Sequence, residues 1–195
     1  MSVAARRILV LDGHPDPDPA HFVHALAEAY AGAASEAGHE VLRKEIAKLD
    51  FPLLRKPSDW LTGEPPEEIA RLQADIEWAD HLVLLYPLWL GDVPALLKGV
   101  LEQVLRPGFA LEYRTKGLPR KLLGGRSARI VVTMGMPALF YRWVYSAHSL
   151  KSLERNILKF VGFAPVEHTL LGGVDNLGNR RKGLEEMLEL GARGA

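Results

Sequence analysis

Three short segments of the chain are apolar almost without interruption: RRILVLDG from Arg6 to Gly13, HLVLLY from His81 to Tyr86, and RIVVT from Arg129 to Thr133. Runs of this length and composition are strands covered on both faces. HEVLRKEI, His39 to Ile46, alternates instead and reads as a strand exposed on one side or at an edge. A last strand is expected over Val166 to Leu171. Between these segments the apolar residues fall at helical spacing. Phe22 to Ala37 carries Phe22, Leu26, Ala29, Tyr30 and Ala33 on one side and stops at Gly38. Glu67 to Ala79 follows two prolines and is acidic in its first turn, as a helix dipole favours. Further helices are expected over Pro94 to Leu105, over Ala147 to Val161 with Gly162 as the stop, and over roughly Arg180 to Leu190.

Strands that alternate with helices, the most apolar of them buried on both faces, predict one α/β domain over residues 1–195 with an open parallel sheet and helices on both sides. Ligands of such sheets bind beyond the carboxyl ends of the strands, where the strand order reverses. The segments leaving the three most apolar strands are GHPDPDPAHF, YPLWLGDVP and TMGMPALFY, so these should converge. The first opens a helix and offers backbone N–H groups to an anion. The other two offer flat apolar surface, with Trp89, Leu90 and Val93 in a loop that would otherwise be polar. A phosphate beside a flat hydrophobe points to a nucleotide-like cofactor. A glycine fingerprint for dinucleotides and a Walker loop are both missing after the first strand, which disfavours those classes and leaves flavin as the better fit.

Composition narrows the field further. Lys+Arg and Asp+Glu balance at 24 each, which argues against a nucleic-acid partner or an anionic membrane recognised through bulk charge. With no cysteine, thiol catalysis, disulfides and cysteine-based metal sites are excluded; seven histidines leave a His/carboxylate site open, but none falls in a His-Glu-x-x-His pattern, and no metal is expected. No segment has the length of a signal-peptide core or a membrane span, and cytoplasmic residence is the expectation.

GHPDP at His14, DIEWADHLVLLYPLWLGDVPALLKGVLEQVL, RPGFALEY and TMGMPALFY, taken in that order and spacing, resemble the flavodoxin-like NAD(P)H:quinone oxidoreductases. This is the DT-diaphorase-like group, which includes ancillary oxidoreductases of bacterial potassium efflux systems. The resemblance runs from about Arg7 to Leu171 and implies a flavodoxin-like, doubly wound sheet of five parallel strands. It also implies FMN, with FAD as the other option, reduced by NAD(P)H and reoxidised by a quinone in the same slot. It places His14, Phe22 and Val23 at the flavin phosphate and Gln73 near the cofactor tail. Pro87, Leu88, Trp89, Leu90 and Gly91 fall in one loop at the flavin ring, and Thr133, Met134, Gly135 and Met136 in the loop along its other edge. Tyr141, and more loosely His148, match residues that stabilise charge on the reduced ring, and Tyr113 one that faces the quinone with Trp89 and Tyr141. Two departures stand out: one aromatic of the ring loop is Leu90, and the first of the paired tyrosines near Tyr113 is Leu111.

The run FYRWVYSAHSL carries more aromatic surface than a small domain easily buries, which predicts a homodimer, as does the resemblance. The same surface motivates the alternative function, a flavin-bearing regulatory subunit docked peripherally on a membrane transporter. A receiver-type phosphoacceptor site is disfavoured, because Asp12 is the one acid well placed at a strand end.

Overall fold

A computed structural model describes residues 4–195. In chain order its strands are β1 (Arg7–Asp12), β2 (Glu40–Glu45), β3 (His81–Pro87), a minimal hairpin of β4 (Leu111–Glu112) and β5 (Arg120–Lys121), then β6 (Ser127–Met134) and β7 (Val166–Gly172). Five of them form one parallel sheet in the order β2-β1-β3-β6-β7. The alternating segment is β2 at the edge, and the three continuous apolar runs are the three central strands. Their burial on both faces is why they carry no alternation.

The helices are α1 (Phe22–Glu36), α2 (Pro57–Leu61), α3 (Glu67–Trp78), α4 (Ala95–Val104), α5 (Ala138–Trp143), α6 (His148–Ser152), α7 (Lys159–Val161) and α8 (Leu177–Arg193). One face of the sheet packs Ile8, Val10, Val83, Leu85 and Val131 against Val23, Leu26, Tyr30, Met187 and Leu190 of α1 and α8. The other face packs Leu9, Leu11, Leu84, Tyr86, Ile130 and Val132 against α3, α4 and the segment from Tyr141 to Val161. Alternate residues of each strand serve opposite layers, as the pleat requires.

Three expectations change. The helix expected over Ala147 to Val161 is α6 and α7 joined by a π-wound stretch, Leu153–Leu158. Ahead of it Ser146 and Ala147 both take positive φ, 53° and 48°, which separates α5 from α6 and breaks the aromatic run in two. α8 starts at Leu177, earlier than expected, because the Asn176 side chain accepts the N–H groups of Gly178 and Asn179. The long connection before α3 is tied down by buried Arg106, which donates to the Gly63 carbonyl at 2.7 Å and to the Gln103 carbonyl at 2.8 Å. Gln103 in turn donates to Pro52.

Candidate active site

The order β2-β1-β3 places a reversal between β1 and β3, and the loops leaving those two strands meet there. Gly13 N–H donates to the Leu85 carbonyl at 2.7 Å. A Cβ on Gly13 would lie 2.6 Å from that oxygen, so only glycine lets the chain leave β1 this close to β3. One residue later the buried imidazole of His14 meets the Trp89 ring edge-on, centroids 5.8 Å apart. β6 closes the rim, with Pro87 in register with Thr133 and Leu88 N–H donating to the Thr133 carbonyl at 2.8 Å.

Trp89 and Asp92 exchange both backbone hydrogen bonds, at 3.0 and 2.9 Å, around Leu90 and Gly91. Positive φ at both central residues, 48° and 82°, is the signature of a tight hairpin turn in which asparagine and glycine are usual. Leu90 is fully exposed at its tip and Trp89 is 48% exposed. Pro87 and Leu88 are half-buried below them. On the facing side Thr133 and Met134 are buried, Gly135 is exposed and Met136 half-buried. Met136 and Met134 carbonyls accept from Gly173 and Val174, which fixes this loop to the end of β7. Among the described residues neither Gly135 nor Met136 N–H finds an acceptor.

The start of α1 is where the phosphate is expected. No side chain caps that helix and no acid occupies its first turn. Phe22 and Val23 N–H groups have no acceptor among the described residues, so they remain available to an anion. The Val23 side chain is in the core, leaving only its backbone for this role. Phe22 is half-buried with the Arg180 guanidinium 5.2 Å from its ring centre.

Sequence reading missed the rest of this end, a nest of three imidazoles. His14 stacks on His21 with centroids 3.9 Å apart and meets His24 at 5.3 Å. His24 is bonded to Asp12 at 2.6 Å and to the Asp16 carbonyl at 2.9 Å. Fully buried Asp12 also takes a 3.0 Å contact from Arg43. Burial lowers the His14 pKa and keeps its ring neutral. Burial also works against charge on His24, but its bonds to Asp12 and Asp16 prevail and raise its pKa. Asp16 N–H lies 3.1 Å from His14 Nδ1, which leaves Nε2 of a 5% exposed ring with no partner among the described residues. The one signal in the sequence was the crowding of histidines in HPDPDPAHFVH.

Four expected site residues fall elsewhere or face elsewhere. Gln73, midway along α3, donates to the Val104 carbonyl at 2.8 Å, at the end of α4 remote from the rim. Tyr141 is 1% exposed, and its hydroxyl is 2.6 Å from Ser149 Oγ and accepts Leu150 N–H at 3.2 Å. The reversal at Ser146 and Ala147 brings α6 back over the phenol, so Tyr141 positions α6 rather than facing a ligand. Tyr141→Phe should therefore cost about 1–3 kcal/mol, because it orphans a buried N–H, while flavin affinity changes less than about threefold. Thermal unfolding and a fluorescence titration of Tyr141→Phe check both. His148 is exposed at the start of α6, and Tyr113 is exposed against Trp60, with centroids 6.1 Å apart. Among the described residues no group of three or more His, Cys, Asp or Glu could hold a metal ion.

The family model of Flavodoxin_2, the flavodoxin-like fold, matches residues 6–190. An uncharacterized NAD(P)H oxidoreductase of Haemophilus influenzae is 29% identical over 190 residues, covering 95% of this chain and 92% of its own. An FMN-dependent NADH:quinone oxidoreductase of Nitratidesulfovibrio vulgaris is 28% identical over 200 residues, covering 89% and 92% respectively. Among solved structures, an NAD(P)H:quinone oxidoreductase from Methanothermobacter marburgensis superposes with a TM-score of 0.82 at 25% identity, over 98% of this chain and 100% of its own.

Proposed function

The chain belongs to the Flavodoxin_2 family, and from that premise we propose that it is an FMN-dependent NAD(P)H:quinone oxidoreductase, carrying two electrons from a nicotinamide to a quinone or similar flat acceptor. The observation that carries this reading is the His14–Trp89 contact across the β1/β3 reversal, beside an α1 start with unpaired N–H groups. Bound flavin supplies hydride acceptance and delivery, chemistry that no side chain offers.

The residues present suit that group. Phe22 and Val23 N–H, with the His14 Nε2 position, hold the phosphate. Leu88, Trp89 and Leu90 form an apolar wall that excludes water, which strengthens every polar contact behind it. Thr133 to Met136 bound the other edge, where the unpaired N–H groups of Gly135 and Met136 are fixed donors for charge developing on a bound ring. His148 and Tyr113 are at the surface and serve acceptor contact at most.

Titrating the purified protein with FMN tests the reading. Quenching of flavin fluorescence and a shifted visible spectrum are expected, and Trp89→Ala should weaken binding about tenfold, the worth of one aromatic contact. A colourless preparation that gains no flavin absorbance with FMN or FAD would defeat it.

Two finer statements belong to the same proposal. Leu139, Phe140, Trp143, Val144 and Tyr145 are all exposed on α5 and its exit, an apolar patch suited to a second copy of the chain. Trp143→Glu should shift sedimentation from dimer to monomer. Cytoplasmic residence is part of the same proposal. Among the described residues no helix is long and apolar enough to cross a membrane. A regulatory subunit on a transporter is the less favoured reading, since the relatives are named for catalysis.

A further inference from the structure

At the edge of the sheet opposite the rim, where β1, β3 and β6 begin, polar groups are buried that the redox reading does not use. Arg6, His81, Ser127 and Arg129 occupy alternate positions continuous with Ile8, Val83 and Val131, so they share the face covered by α1 and α8. A cleft of about 170 Å³ opens there, lined by Arg6, His81, Ser127, Pro165, Glu167 and Ala195.

Arg6 Nη2 donates to Ser127 Oγ at 2.5 Å, and the same oxygen lies 2.8 Å from His81 Nδ1. His81 Nε2 has no partner in a ring 4% exposed. Arg6 N–H donates to His39 Nδ1 at 3.1 Å, which leaves His39 Nε2 as an N–H, buried and unpartnered. Arg129 gives its Nη groups to Glu167 and Thr169, and its Nε has no acceptor. Among the described residues no carboxylate lies within ion-pair distance of Arg6, whose remaining contact is the Gly194 carbonyl at 2.6 Å. Met1 to Val3 add no acidic side chain. Burial lowers the His81 pKa to about 3, with Arg6, Arg129 and His39 adding to it.

Buried nitrogens of His81, His39 and Arg129 without partners among the described residues are not what a finished interior holds, because each unpaired group bears its full desolvation cost. We propose that this cleft binds a small oxyanion, phosphate, sulfate or a carboxylate, held by the Arg6 guanidinium and His81 Nε2. At about 30 Å³ per water, the cleft admits an anion of a few heavy atoms and no nucleotide. The site is separate from the flavin rim and stands or falls independently of it.

The test uses FMN-saturated protein, so that the phosphate end of the rim is already occupied, and inorganic phosphate as the probe at constant ionic strength. Calorimetry should show saturable binding with a dissociation constant below about 5 mM, and the nitrogen-15 signal of His81 Nε2 should move along the same isotherm. Arg6→Gln should weaken binding at least about tenfold, the least a charged hydrogen bond supplies. A parallel titration with acetate distinguishes a site for tetrahedral oxyanions, blind to acetate, from one that also takes carboxylates; either supports the shared chemistry. Should Arg6→Gln fail to fold, the His81 signal of the unsubstituted protein still decides. An unmoved His81 signal, binding equally strong in Arg6→Gln, or an unsaturable rise in thermal stability typical of excluded salts would overturn the proposal.

Discussion

Gly172→Ala is expected to lose about 3 kcal/mol of stability, roughly 6–12 °C in melting temperature for a chain of this size, and to weaken flavin binding with it. Gly172 ends β7, where an added Cβ would lie 2.2 Å from Ala138 N and 2.8 Å from the Met136 carbonyl. Both contacts are backbone, so no side-chain rotation relieves them and the Met136–Ala138 segment must move. That segment continues the loop whose carbonyls are fastened to Gly173 and Val174, so the displacement reaches the Met134–Met136 edge of the rim. Gly32 is the control: it lies within α1, exposed, and a Cβ there meets nothing within 4 Å. Gly32→Ala should stabilise by about 0.5–1 kcal/mol, since alanine loses less freedom in a helix. Equal melting temperatures and flavin affinities for Gly172→Ala and the unsubstituted protein would contradict the packing described.

Acid should unfold the protein early, with His81 the largest single cause. Its pKa is lowered to about 3 in the folded chain, mainly by burial, against about 6.5 when unfolded. Between those values the unfolded chain binds the extra proton, so stability is whole above about pH 6.5 and falls by up to about 1.4 kcal/mol per pH unit as pH drops towards 3. His14, lowered by burial, adds a smaller loss of the same sign. His24 acts oppositely: its raised pKa gives stability present below about pH 6.5 and lost as pH rises through the folded value. Urea unfolding at pH 7, 5.5 and 4.5 measures the slope. His81→Gln should flatten it, and a variant that keeps the full slope would show that other groups titrate instead. Bound oxyanion at the Arg6 cleft would favour charge on His81 and shallow the slope too.

Much of this was legible along the chain because the physics is local. Continuous apolar runs marked β1, β3 and β6, alternation marked β2 as an edge, and the loops after the central strands marked the rim before any coordinates placed His14 against Trp89. What could not be read depends on distant partners. The two-residue strands of the β4–β5 hairpin exist only through their pairing, and the α2 segment PSDWL has no periodicity long enough to see. Nothing in FYRWVYSAHSL announces that Ser146 and Ala147 fold Ser149 back onto the Tyr141 hydroxyl. Gln73 lies on a helix whose packing against α4, not its residue type, decides where its amide goes. The cleft proposed for an oxyanion joins Arg6, just ahead of β1, with His81 and Ser127 at the starts of β3 and β6, and each alone reads as a strand terminus.

The hairpin tip at Leu90 and Gly91 has a thermodynamic corollary. A leucine held in the left-handed region forgoes about 1 kcal/mol relative to glycine, and its bare side chain forgoes the hydrophobic gain of burial besides. Asparagine would relax the first, and any covering surface would recover the second. A ligand that covers Leu90 therefore recovers burial that the bare tip lacks.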